Sequence, residues 1–325
     1  MSDGFHSIIP FAAGGASFAP AHAELRLPHL QKLLARLTTT APGDGDEGGA
    51  DALSMPHERA LARLHGLAPA DGSIPWAAWH AARETGQMDG RAHAWITPCH
   101  WAVGRDHVAM RDPAELDLAE AESRELLGVM QPWFAQDRIT LAWHAPTAWL
   151  ASGEIFRGLA TASLDRVIGR NVDDWLQRDA QTRPLRRLQQ EMQMLLYTHP
   201  ITEARLARGL LPVNSFWIAG AGALDSPAPL EPATSVQLDD RLRAPALAQD
   251  AAAWTAAWQT LDADTCAHLN AAADAGRPVS LTLCGERNAR TWSTPSGAWG
   301  RVAQRVAFLS RIFARSSIAA TLETL

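Results

Sequence analysis

The residue types best suited to chemistry concentrate in one stretch. It runs Thr198-His199-Pro200-Ile201-Thr202-Glu203-Ala204-Arg205, then Gly209, then Pro212-Val213-Asn214-Ser215-Phe216-Trp217-Ile218-Ala219-Gly220-Ala221-Gly222. Pro200 predicts a stop to the preceding helix. Thr202 reads as the N-cap of a short helix carrying Arg205, and Gly209 as the residue just past its end. A strand then starts at Asn214 and finishes on two glycines. Ligands of α/β proteins gather at strand ends, so His199, Arg205, Asn214, Trp217, Gly220 and Gly222 are candidate ligand-binding residues. Pattern alone favours a plainer account, helix–loop–strand punctuation, because Gly and Pro are default loop residues.

A second group is cationic. Arg105-Asp106 sits at a predicted turn and Arg111-Asp112 at a strand end. With Arg170, Asn171, Arg183 and Arg205 they could line an anion pocket, since a guanidinium grips phosphate or carboxylate bidentately. A solvated charged turn is the equal alternative. Arg186-Arg187 reads as the solvent face of its helix. His93, His100 and His107 recur at intervals of seven, beside Cys99. That spacing does not match structural zinc sites, and on a strand it alternates faces, so these are read as core or surface histidines. Asp264 and His268 can share a helix face, yet one pair is too few ligands for a catalytic metal. Ser17 and Ser54 read as loop residues. No catalytic residue, metal site or cofactor is assigned.

These groups must be positioned by helices alternating with short buried strands. Phe5 to Phe11 predicts a buried strand, and Leu25 to Leu37 a helix with its leucines on one face. Thr38 to Asp51 has no apolar period and predicts a loop. Prolines open short helices over Pro56–Leu67 and Pro75–Thr85. Strands are expected over Ala92–Val103 and His107–Arg111 around Gly104-Arg105-Asp106. A helix over Leu118–Phe134 and a hairpin over Ile139–Leu150 follow. Arg183 to Thr198 is the clearest helix. Ser215–Ile218, Thr234–Leu238, Val279–Cys284 and Arg290–Trp292 predict strands. Pro245–Ala275 and Ala298–Phe313 predict helices. The fold class is therefore α/β or α+β.

Composition narrows the function classes. The 325 residues are 47% hydrophobic and 20% charged, which excludes a disordered or fibrous chain. The net charge of -6 argues against general nucleic-acid binding, which needs surplus cations on phosphates. Lys32 is the only lysine, so a Schiff base or Walker lysine has one candidate, in neither context. Three widely spaced cysteines make no disulfide framework and fit a reducing compartment. Ile8 to Phe18 is apolar but lacks a basic leader, and it reads as strand and turn. No run approaches the roughly 18 apolar residues of a membrane helix, so a cytoplasmic protein is expected.

The string HPITEARLARGLLPVNSFWIAGAG, His199 to Gly222, resembles the HPVN..R...G..PAN.IW.WG.G element of archaeal-type cofactor-independent phosphoglycerate mutases. GRNVDDWL from Gly169 and the LRRLQQEMQMLL helix are similar to that family's preceding elements. Ala94 to Leu126 is similar to its inserted domain. More closely, the chain resembles proteobacterial RpfE-type regulatory proteins. The resemblance runs from about Arg91 to Gly222. It implies an alkaline-phosphatase-like α/β core, residues 1–90 and 177–325, with an inserted β/α domain over 91–176. The mutases hold two divalent metals with Asp and His and use a serine nucleophile. Here the first strand is followed by Ala12-Ala13-Gly14-Gly15, and Arg170-Asn171 stands where a His-Asp pair is expected. The implied function is a non-catalytic regulatory or ligand-binding relative, taking a small anionic ligand or a protein partner. The alternatives are an active phosphomutase or phosphohydrolase using a divalent metal, and an interaction scaffold.

Overall fold

The computed structural model describes residues 4–39, 46–67, 70–178, 180–225, 235–295 and 318–325. The helix expected over Ala298–Phe313 lies outside the described residues. The chain divides into two compact units. One comprises Met1–Asp51, Met55–Leu64 and Glu231–Leu325; the other comprises Ala52–Ser54 and His65–Leu230.

The first unit is built on a mixed sheet. Its strand Phe5–Ile9 runs parallel to Ser235–Leu238 on one side and to Val279–Cys284 on the other. Asn288–Ser293 returns antiparallel beside Val279–Cys284. Thr38–Thr39 and Asp46–Glu47 pair with that strand. The sequence predicts loop over this stretch; edge pairing is a backbone matter and leaves no apolar period to detect. Helices cover the sheet with Leu30, Leu33, Trp254, Trp258 and Leu261, all inaccessible to water. Each such side chain contributes roughly 2–3 kcal/mol by leaving water. The two indole N–H groups donate to the carbonyls of Phe11 (3.0 Å) and Ala12 (3.1 Å), so the packing also fixes the turn after the first strand.

The long helix expected over Pro245–Ala275 is broken into Arg243–Leu247, Ala251–Leu261 and Ala267–Asp274, the last two joined by a π turn at Asp262–Cys266. The break has a use. Helix Pro28–Arg36 starts after Leu27, which cannot cap it. The buried Asp262 carboxylate accepts from Leu30 N at 2.6 Å and His29 N at 3.1 Å instead. A helix start leaves its first N–H groups without partners, and a carboxylate there satisfies two of them and the dipole together.

The second unit is a helix–sheet–helix sandwich. Its antiparallel sheet has the order Thr140–Ala145, Ala148–Ser152, Ala92–Cys99, Ser215–Ala223. Alternation along the strands decides the faces. Ala94, Ile96, Phe216 and Ile218 pack with Leu126, Met130 and Phe134 of helix Glu120–Gln136 and Leu188, Met192 and Leu196 of helix Arg183–Tyr197. The opposite face carries Trp95, which meets His80 of helix Trp76–Thr85. Ser123 pins the long helix to the hairpin: its hydroxyl donates to Pro146 O and accepts from the indoles of Trp143 and Trp149. A small hairpin, Trp101–Val103 with Val108–Met110, projects beyond the sheet.

Acid sensitivity of the first unit has a local source. His6 Nε2 lies 2.7 Å from the Thr282 hydroxyl, and burial lowers its pKa from 6.5 to about 4. The folded chain therefore refuses a proton that the unfolded chain accepts. The associated stability is full above about pH 6.5 and is lost as pH falls towards 4. His6→Asn should remove about 2 kcal/mol of the stability lost on acidification from pH 7 to 4.5. Urea unfolding at the two pH values measures this, and an unchanged acid loss would contradict it.

Candidate functional site

In an α/β unit the ends of parallel strands are the first place to look. In the first unit Phe5–Ile9 delivers Phe11, Ala12 and Ala13, all buried and without a carboxylate. Ser235–Leu238 delivers Asp239, which is committed to structure. Its oxygens accept from Arg241 Nε at 2.8 Å, from Arg241 Nη2 at 2.7 Å and from the Thr265 hydroxyl at 2.6 Å. Burial opposes its charge, yet these bonds hold the Asp239 carboxyl below the ordinary range. Arg241 Nη1 also reaches Asp264 at 2.9 Å. A cavity of about 370 Å³ beside this cluster is lined by His6, Gln237, Arg241, Asp264, Thr265 and His268. Its one arginine is already neutralised by two carboxylates. Asp264 is thus held by Arg241, and His268 packs edge-on to Phe5 rather than sharing a ligand position with it.

The second unit holds a larger groove of about 630 Å³. Its floor is helix Arg183–Tyr197, which presents Arg186, Gln189, Gln190 and Gln193. Trp101, Val103 and Val108 form one wall, from the projecting hairpin. Asp173, Arg178, Thr202, Leu206 and Asn214 complete the rim. Val103, Tyr197 and Leu206 leave large apolar surfaces exposed here. Arg178 is paired with Asp173 at 3.3 Å, at an exposed position where such a pair is weak. Arg186 is different. Its Nε is sealed from water and has no hydrogen-bond partner. A buried guanidinium N–H without an acceptor costs free energy, so this arginine is not spent on the fold, and Arg186 lines the groove.

The ten residues proposed from sequence are distributed as follows. Arg205 is fully buried and spends its guanidinium on structure. Nε donates to Leu211 O at 2.8 Å, Nη1 to Glu122 Oε2 at 2.8 Å and Nη2 to Leu116 O. Arg208 also reaches Glu122. His199 caps helix Pro200–Ala207, its Nδ1 accepting from Ile201 N. The cap is therefore His199, with Thr202 inside the helix donating to Leu196 O. Asn214 binds both backbone groups of Trp101, at 2.7 Å and 3.0 Å, which anchors the hairpin, and it lines the groove. Trp217 donates its indole N–H to Ala162 O and walls a narrow cavity of about 40 Å³ with Trp175 and Arg186.

Gly220 and Gly222 let a helix approach the sheet. A Cβ on Gly220 would stand 3.0 Å from Trp76 Cβ, and one on Gly222 would stand 2.8 Å from Pro75 Cβ. Both have positive φ, 60° and 148°. Arg105 and Asp106 are exposed at the tip of the projecting hairpin. Asn171 pairs with Ala109 of that same hairpin and caps the turn Val172–Asp174; Arg170 lies against Trp175. Of the ten, Asn214 alone is among the groove-lining residues.

His93 binds the Ser152 hydroxyl and Asp89, and His100 donates its Nδ1–H to Pro212 O, so these two histidines are separate. Cys99 is buried, and burial pushes its thiol well up. Arg186 reads from sequence as solvent face beside Arg187, and nothing in the sequence singles out Gln190 and Gln193. Their only signal was a polar stripe beside the apolar one on a strongly amphipathic helix.

No family model and no curated protein matches the chain. The solved structures similar to it include two that follow. The Cofactor-Independent Phosphoglycerate Mutase from Thermoplasma acidophilum DSM 1728 is 12% identical, with 92% of this chain and 91% of that chain covered and a TM-score of 0.34. PH0037 protein from Pyrococcus horikoshii is 11% identical, with 90% and 87% covered and a TM-score of 0.45. The chain is a mixed α/β protein with neighbours of phosphoglycerate mutase-like fold. Likeness this faint carries no argument about activity. Among the described residues no helix is long and apolar enough to cross a membrane.

The Arg205 cluster predicts a stability effect. Arg205→Met should cost roughly 2–3 kcal/mol, because it strands the Leu116 and Leu211 carbonyls and leaves Glu122 with Arg208 as its one remaining arginine. Chemical denaturation measures it. A loss below about 0.5 kcal/mol, the level of ordinary surface changes, would contradict the structural role.

Proposed function

We propose that this chain is a non-catalytic binding protein whose second unit takes a small anionic ligand bearing an apolar part. The observation that carries the reading is Arg186: a guanidinium with a sealed, unpartnered Nε at the floor of a groove walled by Trp101, Val103 and Val108. Cation and apolar wall together suit a carboxylate or phosphate attached to a hydrophobic body. Gln190 and Gln193 add amide donors and acceptors on the same helix face. The sequence resemblance to phosphoglycerate mutases agrees with an anionic ligand and with descent from an enzyme fold. Two-metal phosphoryl transfer requires carboxylates converging on both ions, and the first strand here ends in Phe11, Ala12 and Ala13 instead. A regulatory role follows if ligand occupancy changes how the exposed Tyr197 and Leu206 surface meets a protein partner. The buried thiols of Cys99 and Cys266 suit a reducing compartment.

Calorimetric titration tests this with three probes: inorganic phosphate, benzoate and phenyl phosphate. Phenyl phosphate should bind most tightly, because it uses both the cation and the wall. Arg186→Ala should weaken it about 10-fold or more while leaving the melting temperature nearly unchanged. Turnover of an aryl phosphate or 3-phosphoglycerate with added Mn²⁺ should be absent. Measurable turnover, or phenyl phosphate binding indifferent to Arg186→Ala, would overturn the reading.

A further inference from the structure

A second chemical grouping in the same unit is independent of the groove. His80 and Glu84 lie four residues apart on helix Trp76–Thr85, so they share a face. His144 lies near the end of strand Thr140–Ala145, where the pairing register shifts between Trp143 and Ala145. Glu84 Oε1 stands 3.1 Å from His80 Nε2 and 3.5 Å from His144 Nδ1. One nitrogen or oxygen from each of the three falls within 4.8 Å of the others. Among the described residues no other group of three His, Cys, Asp or Glu converges in this way.

One hydrogen bond does not explain the arrangement. His80 Nε2 is sealed from water and lies beside Glu84 Oε1, and His144 Nδ1 approaches that same oxygen. Two ring nitrogens and a carboxylate oxygen therefore converge on one region. The imidazoles themselves are fixed by packing. Their centroids are 4.5 Å apart in an edge-to-face contact, and Trp95 lies 4.9 Å from His80 and 5.2 Å from His144. The Trp95 strand and the helix are held together where Gly220 and Gly222 admit Trp76 and Pro75. Arg83, the adjacent cation, is turned over the Trp79 ring at 5.3 Å.

We propose that His80 Nε2, Glu84 Oε1 and His144 Nδ1 form a binding site for one divalent transition-metal ion, with Zn²⁺ the best match. Two imidazoles and one carboxylate are a borderline donor set that suits Zn²⁺ and disfavours Mg²⁺ or Ca²⁺, which take oxygen. Tetrahedral zinc with bonds of about 2.0–2.1 Å needs ligand atoms about 3.4 Å apart. The two distances to Glu84 already bracket that spacing, and the exposed Glu84 and His144 side chains can adjust the third. Three protein ligands leave a fourth position open to water or to a ligand from solution.

The test is titration of Zn²⁺ into the chelator-stripped full chain, followed by calorimetry, with Co²⁺ absorption as a second readout. Wild type should bind one Zn²⁺ saturably and give a tetrahedral Co²⁺ spectrum. His144→Ala and His80→Ala should each weaken binding more than about 100-fold, since even outer-shell changes cost about 10–100-fold. Glu84→Gln should weaken it about 10-fold. The exposed His107→Ala should change nothing. His144 is exposed, so its variant should keep the fold even if His80→Ala does not. Absence of saturable binding by wild type, or Zn²⁺ affinity unchanged in His144→Ala, would overturn the proposal.

Discussion

A guanidinium sealed from water must spend its donors inside the protein, and the second unit is assembled around one that does. Arg205 joins three segments: the Glu122 helix, the carbonyl that ends the turn at Leu116, and Leu211 ahead of the last sheet strand. None of these contacts is local to the helix that carries Arg205, apart from Leu211. The bond to Leu211 fixes where the chain re-enters the sheet, two residues before Val213 is buried and three before Asn214 grips Trp101. The projecting hairpin that forms one wall of the groove therefore depends on the same node.

The same strand also sets the other face. Gly220 and Gly222 remove the side chains that would keep Pro75 and Trp76 off the sheet. Helix Trp76–Thr85 can then settle with His80 against Trp95, within reach of His144. A single segment, His199 to Gly222, thus orients a groove on one side of the unit and a histidine cluster on the other. Its polar residues His199, Arg205 and Asn214 are occupied in hydrogen bonds that hold these elements in place.

The α/β class was legible because alternation and helical spacing survive in the segments that bury most surface. Helix Arg183–Tyr197 shows this best, with Leu185, Leu188, Met192 and Leu196 all buried. The broken Ala251–Asp274 run was not legible: a π turn leaves alanine-rich composition intact, and Asp262 gains its purpose only from a helix start more than two hundred residues away. The groove was hidden by a similar problem. Arg186 and Arg187 look equivalent in sequence, but one helical step of about 100° turns them apart. Arg187 reaches Asp137 and Glu191, while Arg186 enters the groove. His80 and His144 meet through tertiary packing alone, so no spacing rule could join them.

The proposed anion site at Arg186 makes His199 to Gly222 framework rather than ligand-binding. Crystals of the full chain soaked in tungstate, an anion that anomalous scattering locates without ambiguity, test this directly. The predicted result is a peak within hydrogen-bonding reach of the Arg186 guanidinium, weakened or lost in Arg186→Ala crystals. A peak at the Arg241 cavity with none at Arg186 would contradict the account.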